Sequence, residues 1–262
     1  MEGNEECNRC DKGLRCVAAY PKRAQVSTGA GLKPLMADYL IEFGRDGRPV
    51  EADGRLDAAA FHRNREPIWS VLQRYLAGKS GDLLEAGSGT GQHAVYFARQ
   101  CPDITWWPSD FNERHLASIA AWRAHAGLSN LRTPLKLDLT DLAWCEEMHN
   151  GGGPTALLAV FCANVIHIAP WNVAEGLFAG AARYLRCDGH LLLYGPFKRD
   201  GKHTALSNAV FDASLRESDP EWGVRDTADL EKLGHGNGLA LREVVEMPDN
   251  NLILVFSRSN RK

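Results

Sequence analysis

The sequence predicts an α/β protein with a mostly parallel β-sheet, helices on both faces of the sheet, and an antiparallel hairpin at the end. Three observations predict this class. Short apolar runs alternate with helix-like segments from residue 57 onward, a pattern that is typical of βαβ units. Three glycines at alternate positions, Gly87, Gly89 and Gly91, follow the first of these runs. The last two apolar runs, 240–247 and 251–258, have no helix between them.

The predicted elements follow in order along the chain. A short helix is predicted at 35–43, and Asp57 is a suitable N-cap for a helix that ends near Gly78. Pro67 predicts a kink or a break in this second helix, because proline lacks the backbone N–H. Further helices are predicted at 92–100, 113–125, 141–149, 170–185, 204–217 and 227–235, and strands at 82–85, 105–108, 132–137, 156–162 and 190–194.

The first 55 residues form an extension that precedes the domain predicted at 56–262. This extension is rich in charged residues, glycine and proline, and it contains Cys7, Cys10 and Cys16. A structural zinc site needs four ligands at suitable spacing, and no fourth ligand lies nearby in the sequence. We therefore expect no metal here, and a segment that is flexible or loosely packed.

The composition narrows the class of partner. The formal net charge of the 262-residue chain is −3, which gives no electrostatic reason to expect nucleic acid or an anionic membrane. The longest apolar runs are too short to cross a bilayer, and the N-terminus does not resemble a secretory signal. The seven cysteines are an odd number and are scattered, which is typical of reduced thiols. We therefore expect a cytoplasmic location and neither nucleic acid nor a membrane as the main partner.

The glycine-rich loop EAGSGTG at 85–91 indicates which kind of nucleotide the chain binds. A Walker loop ends in Lys followed by Ser or Thr, and this pair is missing after the last glycine. A dinucleotide loop has the spacing GxGxxG, whereas this loop has GxGxG preceded by Glu85. A carboxylate at this point favours a cationic ligand without phosphate. The loop therefore predicts S-adenosylmethionine, bound through Glu85, Gly87, Ser88, Gly89 and Gly91.

Two more acidic residues extend the predicted cofactor site. Asp110 ends the second apolar run, where its carboxylate can accept both ribose hydroxyls, and Asp138 follows the third run, where it can accept the adenine amino group. Each of them can instead cap the helix or turn that follows it. An acid after each of three successive strands favours the cofactor role. Leu139 beside the adenine ring and Asn164 after the fourth strand complete the predicted site.

Seven long segments of the chain identify a family. They are RNREPIWSVL (63–72), LEAGSGTGQHAVYFA (84–98), WWPSDFN (106–112), ANVIHIAPW (163–171), LYGPFKRDGKHTALSNAVFDASLR (193–216), WGVRD (222–226) and MPDNNLILVFSR (247–258). These segments resemble the class I S-adenosylmethionine-dependent methyltransferases and, more narrowly, the methyltransferase-like protein 26 family, also known as domain of unknown function 938. The resemblance implies a Rossmann-like class I methyltransferase fold, with a seven-stranded, mostly parallel sheet and a reversed final hairpin. It does not imply a particular substrate.

The loop after the fourth strand carries the predicted chemistry. In the fold that the chain resembles, this loop faces the cofactor methyl group, and here it includes His167. The loop lacks the Asn/Asp-Pro-Pro-Tyr/Phe motif of amino-group methylases, which counts against an amide or a nucleobase as the acceptor. A histidine in this loop is similar to the arrangement in small-molecule O-methyltransferases, and we predict His167 as a general base. Alternatively, His167 bonds its own loop or the cofactor carboxylate.

Five further residues are predicted to face the acceptor. Tyr194 ends the fifth strand and is predicted as a second catalytic residue, the alternative being strand-end packing with its hydroxyl in water. The predicted substrate-binding residues lie on the first long helix, at the start of the helix 170–185, and on a polar helix face that could form a lid. They are Asn64, Arg65, Trp171 and Asn208. Alternatively, these helix faces are simply solvated.

These observations together predict a function. We expect an S-adenosylmethionine-dependent methyltransferase (EC 2.1.1.-) that acts on a small molecule, by O-methylation with His167 as the base. One alternative is a methyltransferase that modifies a protein or peptide side chain. Another is a non-catalytic protein that binds S-adenosylmethionine and serves as a partner subunit.

Overall fold

The computed structural model of the protein describes residues 53–141 and 152–259, together with residues 48, 49, 144 and 148. The helix predicted at 35–43, the three N-terminal cysteines and most of the helix predicted at 141–149 lie outside the described residues. Within the described part, none of the helices combines the length and the hydropathy that a bilayer span requires.

The structure alternates strands with helices along most of the described chain. The helices are α1 Ala59–Leu76, α2 Gln92–Gln100, α3 Glu113–Ala126, α4 Trp171–Tyr184, α5 Leu206–Ser218 and α6 Thr227–Gly236. The strands are β1 Arg48–Pro49, β2 Leu56–Asp57, β3 Gly81–Ala86, β4 Ile104–Asp110, β5 Leu135–Lys136, β6 Leu157–Ala163, β7 Leu185–Arg199, β8 Lys202–His203, β9 Arg225–Asp226, β10 Leu239–Glu246 and β11 Asn251–Arg258.

One sheet organises the molecule. Its main path has the order β10-β11-β7-β6-β3-β4-β5, and the short strands β8 and β9 pair with β7 outside that path. The pairs from β5 to β7 are parallel, whereas β11 runs antiparallel to both β7 and β10. The predicted α/β class, the mostly parallel sheet and the terminal hairpin are confirmed. Seven strands lie on the main path, as the resemblance implies.

The two faces of this sheet bury separate cores, because side chains alternate between faces along each strand. Leu84 and Leu193 pack with α4 and α6 on what we call the α4 face. Leu83 and Leu192 pack with α1 and α2 on the opposite side, the α1 face. Position within a strand therefore decides which helices a side chain can reach.

The first long helix departs from its prediction at the N-terminus. Its N-cap is Ala58, which has no side-chain cap, and Asp57 belongs to β2, so the predicted Asp57 cap is wrong. The physical reason is a competing partner: the Asp57 carboxylate accepts a hydrogen bond from Gln92 Nε2. The helix then continues through Pro67 without a break. Its buried face, which includes Ile68 and Leu72, stabilises it more than the single missing hydrogen bond destabilises it.

The seventh strand is longer than predicted, and its extra length shapes the site. The sequence predicts a strand at 190–194, whereas β7 continues to Arg199. Beyond Gly195 the strand is held by β11 on one side and by β8 and β9 at its far end. We call residues 196–199 the β7 extension. In contrast, the strand predicted at 132–137 is reduced to Leu135–Lys136.

Candidate cofactor and acceptor site

The site begins where the strand order reverses. From β3 the chain proceeds outward through β4 to β5, and it then returns to β6 on the other side of β3. Ligands of open α/β sheets bind at such a switch point, outside the carboxyl ends of the strands. The glycine-rich loop follows β3 directly, so the topology places it at this point.

The three glycines of the loop have different structural roles. All have positive φ, +73° at Gly87, +56° at Gly89 and +88° at Gly91, which favours glycine over other residues. A Cβ at Gly87 would lie 2.5 Å from Val165 Cγ2, and one at Gly91 would lie 2.9 Å from Ile119 Cα. A Cβ at Gly89 would meet no atom within 4 Å. Gly87 and Gly91 therefore allow close packing, whereas Gly89 borders open space.

Hydrogen bonds fasten the loop to the end of β4. Ser88 N donates to Ser109 O at 2.7 Å, and Ser109 N donates to Ser88 Oγ at 3.1 Å. Gly89 N donates to Asp110 Oδ2 at 2.9 Å. Asp110 Oδ1 also accepts from Asn112 N, and the whole residue is buried. The structure thus brings Ser88, Gly89 and Asp110 together beside the open space.

Glu85 is buried at the end of β3, directly before the loop. Its Oε2 accepts a hydrogen bond of 2.6 Å from Trp106 Nε1, and the residue is 2% exposed. Burial raises the pKa of Glu85 to about 8, against the opposing effect of the Trp106 hydrogen bond and with a further increase from the charge of Asp110. The carboxyl group of this predicted cofactor-binding residue is therefore held by Trp106 of the neighbouring strand.

The segment after β5 presents the predicted adenine-side residues. Asp138 is exposed, and its Oδ1 accepts from Thr140 N at 2.9 Å and from Thr140 Oγ1 at 2.7 Å. Leu139 is buried. Phe111, which directly follows Asp110, is 48% exposed. Phe111 is not predictable from the sequence as a site residue, because an aromatic residue after an acid does not by itself indicate that its ring is exposed.

His167 is enclosed on the α4 face. It is 1% exposed, and neither ring nitrogen has a hydrogen-bond partner within the described residues. Its ring packs edge-on against Phe197 at 5.0 Å between centroids, and a Cβ at Gly195 would lie 2.2 Å from its Nε2. Burial lowers the pKa of His167 to about 3, with a further decrease from the charge of Arg225 and an opposing effect of Asp212.

Asn164 forms the turn between β6 and this histidine. Its φ is +58°, an uncommon value for a residue other than glycine. Its backbone N–H donates to Tyr194 O at 2.9 Å, which joins the turn to β7. A left-handed residue of this kind, held by the surrounding structure at a strand end, is typical of a functional site.

Tyr194 lies on the other face of the sheet from His167. It belongs to the core of the α1 face, and its hydroxyl accepts from Asn251 Nδ2 at 3.1 Å. Burial raises the pKa of Tyr194, and hydrogen bonds from Asn64 and Asn251 act in the opposite direction. His93 Nε2 lies 2.8 Å from Asn64 Oδ1 and fixes the orientation of that amide. The structure therefore brings Tyr194 and Asn64 together, and it does not bring either to His167.

The other predicted substrate-binding residues lie at three separate places. The Arg65 guanidinium stacks over the rings of Phe61 and Tyr96, at 5.2 and 5.6 Å. Asn208 is buried, and its Nδ2 donates to Thr204 Oγ1 and to Asn250 O, both at 3.0 Å. Asn208 therefore lies next to the start of β11. Its partner Asn250 directly precedes Asn251, which bonds the Tyr194 hydroxyl.

Trp171, the last of the predicted substrate-binding residues, lines a cavity next to the end of β7. Asn251 and His93 were missed by the sequence analysis, because a turn residue and a helix residue gain these contacts only through the fold. The described residues contain no group of His, Cys, Asp or Glu side chains that could hold a metal ion.

A family model and several solved structures match this chain. The family model, described as "Protein of unknown function (DUF938)", matches residues 55–258. An O-methyltransferase family protein from Burkholderia thailandensis matches with a TM-score of 0.63 and 17% identity, over 78% of this chain and 58% of that chain. Mitomycin 7-O-methyltransferase MmcR matches with a TM-score of 0.61 and 12% identity, over 77% and 55% of the two chains.

A third similar structure was solved with ligands. It is the O-methyltransferase NcsB1 from neocarzinostatin biosynthesis, in complex with S-adenosylmethionine and 2-hydroxy-5-methyl naphthoic acid. It matches with a TM-score of 0.58 and 15% identity, over 76% of this chain and 55% of that chain. At these identities the likeness shows a shared fold. This chain spans little more than half the length of each of the three structures.

Proposed function

The chain belongs to the family described as protein of unknown function DUF938, and from this premise we propose that it is an S-adenosylmethionine-dependent methyltransferase that acts on a small molecule. The narrower likeness to the methyltransferase-like protein 26 family stays a prediction. The observation that carries the proposal is the open space at Gly89, beside the buried carboxylate of Asp110.

The residues at this edge suit the proposed cofactor. Gly89 leaves room for a ligand to approach the backbone, and Asp110 is held next to it by the loop N–H. Asp110 would hold the ribose hydroxyls, and Asp138, Leu139 and Phe111 would surround the adenine. The carboxylates favour a cation and disfavour a phosphate. S-adenosylmethionine supplies an electrophilic methyl group on a sulfonium centre.

We further propose that the acceptor is an oxygen atom of a small molecule. Two of the similar structures support this class, since one is a mitomycin 7-O-methyltransferase and the other is an O-methyltransferase in complex with 2-hydroxy-5-methyl naphthoic acid. In this chain, the polar groups around the start of β11 would orient the acceptor. These groups are Asn64, Tyr194, Asn208 and Asn251.

For His167 to act as the base, its buried ring must become accessible to the acceptor. Its ring nitrogens are unpartnered, so the neutral imidazole has a lone pair available for a proton. In the described conformation, however, the ring is buried, and its pKa of about 3 makes it a weak base at neutral pH. The role therefore requires that the 164–170 loop move the ring out of the α4 face, because Tyr194 and Asn64, which would orient the acceptor, lie on the opposite face of the sheet.

A labelled methyl group tests the proposed function. We expect purified protein and methyl-labelled S-adenosylmethionine to label a low-mass product in a fractionated metabolite extract, and the Asp110→Ala variant to form far less of it. Label that appears only in protein would contradict the small-molecule assignment. Cofactor binding without any labelled product would contradict the enzyme assignment.

The same assay tests His167. If it is the base, His167→Ala lowers kcat by about 100-fold or more while cofactor affinity stays nearly constant. His167→Gln, which keeps a polar side chain but cannot accept the proton as imidazole does, shows the same loss. Unchanged kcat in both variants would contradict the base role, and an equal loss of cofactor affinity would indicate a cofactor-binding or structural role.

A further inference from the structure

A cavity of about 490 Å³ opens beside the far end of β7. Its walls come from the β7 extension, from β9, from the end of α5 and from the first turns of α4 and α6. None of the residues of the glycine-rich loop lines it. The cavity is therefore distinct from the candidate cofactor site, and the proposed function does not use its charged groups.

The inner wall of this cavity combines apolar and cationic groups. Val224 is buried, and the Lys198 side chain is 17% exposed. The Arg225 guanidinium lies 5.7 Å from the centroid of the Trp171 ring. Arg216 stands nearer the mouth, with half of its side chain exposed. Three cationic side chains thus converge on one space, which is unfavourable unless negative charge compensates them.

A single buried carboxylate, that of Asp212, forms ion pairs with two of these three cations. Asp212 accepts from Lys198 Nζ at 2.7 Å, from His203 Nε2 at 2.9 Å and from Arg216 Nε at 3.2 Å. It also accepts from Val224 N at 2.8 Å. Because this carboxylate already has four donors, it has little capacity left for Arg225.

Arg225 has no carboxylate partner among the described residues. Its guanidinium donates instead to three backbone carbonyls, those of Ile166 at 2.9 Å, Ala169 at 2.5 Å and Glu221 at 2.9 Å. Carbonyl dipoles hold the group in place but do not neutralise its charge. Burial lowers the pKa of Arg225 and the nearby charge of Arg216 lowers it further, whereas the charges of Asp212 and Glu221 act in the opposite direction.

Three aspartates also line the cavity without neutralising this charge. Asp226 accepts from Ala228 N with one oxygen and from Gly201 N with the other. Asp200 and Asp229 are exposed, so water solvates them. Within the described part of the chain, Asp212 alone forms an ion pair with Arg216, and none of the three aspartates pairs with Arg216 or Arg225. The cavity is therefore lined by three cationic and three acidic side chains, and Arg225 is the partly buried cation that has no ion-pair partner among the described residues.

We propose that this cavity binds the oxyanion of a small molecule, a carboxylate or a phosphate, through the guanidinium groups of Arg216 and Arg225. The two terminal nitrogens of Arg216 can pair with either oxyanion in a bidentate manner. Arg225, whose Nε and Nη2 donate to carbonyls, adds its Nη1, and the Trp171 ring and Val224 offer an apolar surface to the rest of the molecule. Because Arg225 also holds the carbonyls of Ile166 and Ala169, a bound anion stabilises the loop that carries His167. The proposal does not depend on methyl transfer.

Calorimetric titration of the full chain tests this proposal, with inorganic phosphate and benzoate as the probes. We expect saturable binding of at least one probe with one site per chain, weakened by added salt. Tighter binding of benzoate identifies a carboxylate on an apolar body, and tighter binding of phosphate identifies a phosphate ligand. Arg216→Ala weakens the binding about tenfold, and Arg216→Glu abolishes it.

A matched control separates the cavity from surface charge in general. Arg132 stacks over Trp107 at 5.6 Å, much as Arg225 does over Trp171, but it lies outside the cavity. Arg132→Ala therefore binds the probe as the unmodified chain does. Arg225→Gln, which keeps donors for the carbonyls, weakens binding while the urea midpoint changes little.

Any of three results would overturn the proposal. One is the absence of saturable binding for both probes in the unmodified chain. The others are an Arg216→Glu variant that binds as tightly as the unmodified chain, and an Arg132→Ala variant that loses as much affinity as Arg216→Ala. If Arg225→Gln does not fold, the Arg216 variants decide the question, since that side chain is half exposed.

Discussion

The buried carboxyl group of Glu85, directly before the glycine-rich loop, makes the stability of this protein depend on pH. Burial raises the pKa of Glu85 to about 8, from an ordinary value of 4.5. The folded protein therefore keeps a proton that the unfolded chain loses between about pH 4.5 and pH 8. Since the folded state binds more protons in this window, the free energy of unfolding decreases as the pH rises through it.

Glu85→Gln tests this dependence. The amide cannot ionise and still accepts from Trp106 Nε1, so we expect the free energy of unfolding at pH 8 to rise by about 1–3 kcal/mol. At pH 4 the two proteins differ little, because Glu85 is protonated in both the folded and unfolded states. Urea unfolding at the two pH values measures the difference.

The control for this experiment is Glu113→Gln, because the Glu113 side chain is 74% exposed. It should change the pH dependence little. An equal loss of stability at both pH values in Glu85→Gln would contradict the raised pKa and indicate a packing defect.

Single residues also mark the limit of what the sequence predicts. That Asp110 stands at the edge of the sheet follows from its place at the end of an apolar run. The contact between Glu85 and Trp106 cannot be predicted in this way, because Trp106 lies on the neighbouring strand, 21 residues along the chain. The sequence indicates an acid before the loop, and only the fold decides which side of the loop it occupies.

At the scale of elements, the loop after β3 combines two glycines that allow close packing with one, Gly89, that borders open space. Gly89 and Gly127 have nearly the same φ, +56° and +61°, and a Cβ at either would meet no atom within 4 Å. Gly127 ends α3 and is not part of the candidate site. Gly127 is therefore a matched control for Gly89 in measuring whether the open space beside Gly89 is needed for cofactor binding.

We expect Gly89→Ala and Gly127→Ala to lower the free energy of unfolding by similar amounts, about 1 kcal/mol each. Only Gly89→Ala should weaken binding of S-adenosylmethionine, by tenfold or more, because its methyl group occupies the space left for the ligand. Thermal unfolding and calorimetric titration measure the two effects. Equal cofactor affinity in the two variants would show that the space at Gly89 is not part of the binding site.

A buried carboxylate connects four elements near the β7 extension. Asp212 of α5 bonds Lys198 of β7, His203 of β8 and the backbone of Val224, next to β9. Burial acts to raise the pKa of Asp212, but the hydrogen bonds from Lys198, His203 and Val224 outweigh it and lower the pKa to about 2. The stabilisation is therefore fully present above pH 4, and it is lost as the pH falls from about 4 to about 2.

Asp212→Asn should lower the free energy of unfolding at pH 7 by about 3 kcal/mol, because it leaves the surrounding cations without their carboxylate. Asp188→Asn is the control, since Asp188 pairs with Arg186 on the surface and contributes less than 1 kcal/mol. Urea unfolding at pH 7 compares the two. Similar small losses in both variants would contradict the connecting role of Asp212.

The β7 extension shows why element boundaries were only partly predictable. Gly195 and Pro196 are typical of a strand end, so the sequence predicts a strand that stops at residue 194. In the structure, Pro196 pairs with Asn251 across the antiparallel partner strand. Pairing with β8, β9 and β11 therefore extends the strand beyond the point at which local sequence preferences end it.

For the whole molecule, the fold was predictable and the arrangement of the site across the sheet was not. Alternating apolar runs and helix-like segments indicate the parallel sheet, and the glycine-rich loop indicates its ligand edge. The sequence places His167 and Tyr194 near the same edge. Only the pleat of β7, which directs Gly195 and Phe197 to one face and Tyr194 to the other, shows that a full sheet separates them.

The proposed function of the whole molecule rests on the edge of the sheet formed by the glycine-rich loop and Asp110 as the site for S-adenosylmethionine. Calorimetric titration of the full chain with S-adenosylmethionine and S-adenosylhomocysteine tests this assignment. We expect saturable binding of both with one site per chain, and little or no binding of NAD. The absence of heat for both compounds, at protein concentrations that would detect a micromolar Kd, would contradict the proposed cofactor site.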